Sequence, residues 1–230
     1  MMQAASVTAR QFASNQLACA AALGLLLTGC TGSLLQSSAP AADTFRLGST
    51  TSPAPAAGEA STPLVYGIVV TRPRAGGSLD TDRIAVRAAG NRFDYYTGAR
   101  WASSAPRMLQ EQLVEALAAT GQFGGGVFAA PARVPTELLL DVELRRFQAV
   151  TDSTNAASSS AAPVVHVQVQ ASLVDSRRGT RITSFVSAAA EPASENRLAA
   201  VIAAFERANA QVVTEVAAKV EAAAAALPQQ

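Results

Sequence analysis

Residues 138–147 read LLLDVELRRF, and residues 165–173 read VHVQVQASL. In the first stretch Leu138, Leu140, Val142 and Leu144 alternate with Asp141, Glu143 and Arg145. In the second, Val165, Val167, Val169, Ala171 and Leu173 alternate with His166, Gln168, Gln170 and Ser172. A strand turns successive side chains to opposite faces, so a period of two marks a sheet with one buried and one wet face. The polar run TDSTNAASSSAA at 151–162 separates the two and reads as a long hairpin tip. These strands decide the fold class, and the flanking sequence completes it.

Downstream, a turn at 175–179 leads to a strand over 181–187. Upstream, LVYGIVVT at 64–71 is a nearly continuous apolar run, as a buried strand would be, and Pro73 ends it. Residues 83–88 and 92–96 alternate on either side of Gly90-Asn91, the pattern of a hairpin. Residues 123–128 read as a short strand weakened by Gly124, Gly125 and Gly126. Two segments have helical periodicity instead. Over 106–120, Leu109, Leu113 and Leu117 form a stripe widened by Val114; Ser103 or Ser104 can cap it, Pro106 suits its first turn and Gly121 stops it. Over 195–226 the stripe is Leu198, Val201, Ile202, Phe205, Val212, Val213, Val216 and Val220, opposite Glu206, Gln211, Glu215 and Lys219. The expected fold class is α+β, an antiparallel-rich mixed sheet with two main helices packed on one face.

Composition narrows the function. Hydrophobic residues make up 49% of the 230, but 51 of them are alanine, so one modest core is expected. The net charge of +1 gives no bulk basic field for nucleic acid. Two Cys and one His argue strongly against a zinc site, a Cys-His pair or a disulfide scaffold.

Residues 1–29 contain no acid, and their only charged side chain is Arg10. An apolar stretch from Leu17 to Leu27 has the length of a signal-peptide core and is too short to span a bilayer. It ends in Leu27-Thr28-Gly29-Cys30, which resembles the bacterial lipobox. The resemblance implies cleavage before Cys30 and a covalent lipid on its thiol, with no other cofactor expected. Without residues 1–29 the side-chain charges balance at 17 each. Thr31, where Asp would signal inner-membrane retention, favours the outer membrane over the inner.

Residues 31–62 are rich in Ser, Thr, Ala, Pro and Gly and read as a tether. Thr44-Phe45-Arg46-Leu47 interrupts it as a short edge strand. If that strand docks, about 12 free residues remain, with a root-mean-square span of about 20 Å.

No constellation points to catalysis. His166 falls on the outward face of its strand, and Asp141 and Glu143 complete an alternation. G-x-S-x-G and Walker A patterns are absent. Gly124–Gly126 suits a turn or bulge. Trp101, the single Trp, can cover the start of the first helix or, with Arg100, belong to a partner surface.

Several segments together resemble the ABC-type transport auxiliary lipoprotein family, which includes the paraquat-inducible protein C lipoproteins. They are Arg83-Ile84-Ala85-Val86-Arg87, Phe93-Asp94-Tyr95-Tyr96, Arg100-Trp101-Ala102, Pro106-Arg107-Met108-Leu109-Gln110 and Leu113-Val114-Glu115-Ala116-Leu117. The Phe45-Arg46-Leu47 island looks like that family's first strand. The similarity covers roughly 43–222 and divides the chain into a signal peptide (1–29), a lipidated Cys with its tether (30–62) and an auxiliary domain (63–226). The Ala/Ser-rich segments 49–62 and 151–163 depart from the family pattern.

The resemblance implies a non-enzymatic periplasmic accessory lipoprotein of a transport system with an MCE (mammalian cell entry) domain protein, a permease and an ATPase. Such systems move phospholipids or other hydrophobic molecules between inner and outer membranes, and a homo-oligomer is compatible with the family. Two alternatives stand beside it: a lipoprotein that itself binds a hydrophobic ligand, and a structural envelope lipoprotein.

Overall fold

The computed structural model describes residues 42–48, 63–151 and 161–228, all within the compact unit Ala42–Gln230. In chain order the strands are β1 (Asp43–Phe45), β2 (Ile68–Val70), β3 (Arg74–Ala75), β4 (Arg83–Arg87), β5 (Phe93–Trp101), β6 (Val127–Ala129), β7 (Leu138–Val150), β8 (Val164–Asp175) and β9 (Thr180–Pro192). The helices are α1 (Ala105–Ala119) and α2 (Leu198–Ala225).

β7 organises the sheet. Along one edge it pairs antiparallel with β8 throughout, and β8 pairs antiparallel with β9. Three short strands share its other edge, all parallel to it. β2 lies beside Leu138–Leu140, β3 beside Glu143 and Leu144, and β4 beside Ala149 and Val150. Pro73 between β2 and β3 lacks the N–H a continuous strand would need. β6 adds in parallel to β2, β5 folds back antiparallel on β4, and β1 adds in parallel to β5. The result is the mixed sheet of an α+β fold, its long pairings antiparallel.

The alternation in β7 and β8 determines which face is covered. Leu140, Val142, Leu144, Val167, Val169, Ala171 and Leu173 are buried, in the register Leu140↔Leu173, Val142↔Ala171 and Leu144↔Val169. A bulge between Leu144 and Arg146 puts Arg145 and Arg146 both outside and returns Phe147 and Ala149 to the core.

α1 buries Met108, Leu109, Leu113 and Leu117; α2 buries Val201, Phe205, Val212, Val216 and Val220. α2 packs over β8 and β9, and α1 packs against α2 and the β2–β6 end of the sheet. Trp101, Phe147 and Phe205 meet where sheet and helices join, with ring centroids 5.0 to 5.7 Å apart. No helix of the described residues is long and apolar enough to cross a membrane.

The strand ends differ from expectation for identifiable reasons. β9 continues to Pro192 through Ala188-Ala189-Ala190, which have low strand propensity; pairing along the whole of β8 outweighs it. β5 runs past Tyr96 to Trp101 because a register shift against β4 and a positive φ at Gly98 carry the strand through a bend. Phe123 only bridges Leu64, and Gly124–Gly126 form a tight backbone crossing. There a Cβ on Gly125 would meet the Gly67 nitrogen at 2.4 Å, so only glycine fits. Ser104 occupies the N-cap position of α1 without a side-chain cap bond; its Oγ accepts from Arg72 at 3.2 Å.

Candidate functional site

The segment where the tether joins the fold is built into it. β1 pairs with β5 in the register Phe45↔Trp101, and the Ala102 N–H donates to the Phe45 carbonyl at 2.6 Å. Leu47 is buried in the core. Gly48 is held on both sides: its N–H donates to Glu206 Oε1 at 3.3 Å, and its carbonyl accepts from Gln112 Nε2 at 2.9 Å. The Gln112 side-chain carbonyl in turn accepts a hydrogen bond from Asn209 Nδ2.

Gln112 and Asn209 are 5% and 1% exposed, so this polar pair lies inside the α1–α2 interface. Buried amides need partners: Asn209 donates to Gln112, which pins the backbone of residue 48, while the Asn209 Oδ1 is left without a partner. Sequence reading did not single out either residue. The signal was there: Asn209 interrupts the stripe between Phe205 and Val212, and a polar residue on an apolar helix face demands a partner.

The expected lipidation residues Leu27, Thr28, Gly29 and Cys30 lie outside the described residues. Arg100 and Trp101 are neighbours in β5 but face different surroundings. Arg100 is exposed, and its guanidinium lies 3.8 Å from the Asp82 carboxylate. Trp101 is 1% exposed, edge-on to both Phe147 and Phe205. The partner-surface reading of Trp101 is therefore corrected: alternation in β5 turns its ring into the core, at the foot of α1.

The polar residues of the sheet's outer face act as structural pairs. Asp141 accepts from Arg74 at 2.9 Å, and Glu143 lies 3.7 Å from Arg145. His166 is half-buried there, opposite Gln148 and Ala190. Partial burial, and then the charges of Arg146 and Arg87, push its pKa below the usual imidazole value.

A surface cavity of about 300 Å³ lies between Tyr66, Glu137, Arg177, Arg178 and Leu227. Its charges are mutually satisfied, Arg177 by Glu137 at 2.8 Å and Arg178 by Asp175 at 3.1 Å. Among the described residues no group of three or more His, Cys, Asp or Glu could hold a metal ion.

The model of the family described as ABC-type transport auxiliary lipoprotein component matches residues 47–217, from the docked Leu47 into the last third of α2. The chain belongs to this family. For an ABC-type transport auxiliary lipoprotein, membership means association with an ABC transport system and a membrane-anchored place in the cell envelope.

A solved Xanthomonas campestris protein of family DUF330 is 28% identical, with a TM-score of 0.62 over 70% of this chain and 87% of that one. A second solved structure, of an uncharacterized protein, shares the fold at 11% identity and a TM-score of 0.57, over 79% of this chain and 99% of that one. No curated protein matches this auxiliary lipoprotein in sequence.

Proposed function

We propose that this chain is the periplasm-facing accessory subunit of an MCE-type ABC transport system, anchored by a lipid on Cys30. Its partners are an MCE-domain protein, a permease and an ATPase, and the cargo is phospholipid or another hydrophobic molecule moving between the two membranes. The subunit catalyses no reaction, and Thr31 favours the outer membrane as its anchoring site.

The observation that carries this reading is the docked segment Asp43–Phe45 and its continuation to Gly48. A protein that positions partners at a membrane needs a mechanical junction between anchor and fold. Strand pairing with β5 and the Gln112–Asn209–Gly48 contacts supply one. With the lipid on Cys30, residues 31–42 separate the anchor from the docked segment, and a tether of that length has a root-mean-square reach of about 20 Å.

The filled interior supports an accessory role over a carrier one. Val167, Val169, Leu113, Phe205 and Val216 occupy the layer between sheet and helices at 0% exposure.

The anchor is tested in cells with Cys30→Ala. Loss of labelling by a fatty-acid analogue, release from the membrane fraction and failure to complement a deletion of the gene are the expected results. Retained labelling would overturn the anchor, and full complementation by the unlipidated chain would overturn its role in transport.

A further inference from the structure

The two helices cover one face of the sheet, and among the described residues no helix lies on the other. Register places three cationic or titratable side chains around one point on that open face. Gln148 of β7 lies opposite His166 of β8; two residues before it Arg146 lies opposite Gln168, and two residues after it Val150 lies opposite Arg87 of β4. Paired residues and residues two apart along a strand share a face. Arg83 and Phe93 extend the group. The Arg83 guanidinium lies 3.8 Å from the centre of the Tyr95 ring, and Phe93 meets that ring edge-on at 5.6 Å.

Among the described residues, the acids of this face do not neutralise the cluster. Asp141 and Glu143 lie further back along β7 and are taken by Arg74 and Arg145. Among the described residues no carboxylate lies within 4 Å of Arg87 or Arg146.

We infer that this end of the open sheet face is a docking surface for the anionic phospholipid headgroups of the bilayer to which the chain is tethered. Charge complementarity requires an anionic occupant. The surface is made of strand residues, with Arg146 exposed, Arg87 and His166 half-buried and Gln148 buried between them, which fits a layer of headgroups better than one enclosed ligand. Arginines near an anionic leaflet are attracted to it, and aromatic rings settle at headgroup depth. The choice of bilayer rests on the proposed anchor at Cys30, because a tether of about a dozen residues keeps headgroups at high effective concentration beside the domain.

The test uses the lipidated full-length product carrying Ala188→Cys, an exposed position across from Gln168 on the same face, labelled with a fluorophore. Vesicles contain a headgroup-attached quencher and either phosphatidylcholine alone or phosphatidylcholine with about 30% phosphatidylglycerol. Quenching roughly two-fold stronger in the anionic vesicles is expected, and it is lost in about 0.5 M salt. It should also be lost in Arg87→Gln/Arg146→Gln and kept in Arg87→Lys/Arg146→Lys. A fluorophore at Ala218→Cys on α2 should show no such difference.

Equal quenching in both vesicle types, or a difference that survives the glutamine changes with an intact near-ultraviolet circular dichroism spectrum, overturns the docking surface. Should the chain fail to float with neutral vesicles, the anchor reading falls separately. Flotation with anionic vesicles alone then still supports the surface, and flotation with neither overturns it.

Discussion

The buried amide of Asn209 on α2 donates to the side-chain carbonyl of Gln112 on α1, and Gln112 donates onward to the backbone carbonyl of Gly48. One chain of contacts thus joins both helices to the segment that connects fold and tether. Gln112→Ala should destabilise the protein by about 1–3 kcal/mol, because it strands a buried amide. The double change Gln112→Leu/Asn209→Leu should cost less than the two single changes added together. Denaturant midpoints measure both effects. Faster hydrogen exchange at the Ala102 amide, which bonds to Phe45, would report that the segment has loosened.

Trp101 is the chain's single Trp and belongs to the aromatic junction of sheet and helices. Its fluorescence should be blue-shifted and resistant to iodide quenching. Trp101→Ala should cost about 3–5 kcal/mol in thermal or chemical unfolding. An iodide-accessible Trp would contradict the buried placement.

Gly124 and Gly125 are sterically required where backbones cross. Gly125→Ala puts a Cβ at 2.4 Å from the Gly67 nitrogen, whereas Gly77→Ala meets nothing within 4 Å. The first should lower the melting temperature by several degrees, and the second should change it little. Similar melting curves for the two would count against the close crossing.

The pH dependence of stability has two parts with the same sign. Glu137 is held below the usual carboxylate range mainly by the Gly67 N–H, Asp175 mainly by the Arg178 N–H, and Glu215 mainly by Lys219 and then Ser187. Each adds stability that is present above its unfolded value, about 4, and is lost as the pH falls through its lower folded value. His166 is also lower in the folded state, chiefly through burial, so its proton is bound more tightly by the unfolded chain. Stability should already fall as the pH drops below about 6.5, the unfolded imidazole value. His166→Gln should flatten the melting-temperature profile between about pH 7 and pH 5 and leave the steeper acid loss in place. An unchanged slope between those values would refute the assignment.

The core of the fold was legible because β8 and the Leu138–Leu144 part of β7 carry a period of two and the helices a period near 3.6. What was not legible depended on partners distant in sequence. Arg146 and Phe147 break the alternation, and only the register with Gln168 and Val167 reveals the bulge that restores it. The alanines of β9 look helical until they lie beside β8. The sharing of one edge of β7 by β2, β3 and β4 follows from packing, since short apolar strands do not encode their neighbours. At the site, Phe45 and Leu47 could be picked out as an edge-strand island, but Gln112 and Asn209 acquire meaning only when α1 meets α2.

The central proposal is that this lipoprotein serves a transport complex. The direct measurement is affinity purification of the lipidated chain from the cell envelope in mild detergent, with the recovered proteins identified by mass spectrometry. Recovery of an MCE-domain protein with its permease and ATPase, above a control with an unrelated outer-membrane lipoprotein, is the predicted result. Recovery of none of these components, from envelopes in which the complex is otherwise intact, would contradict it.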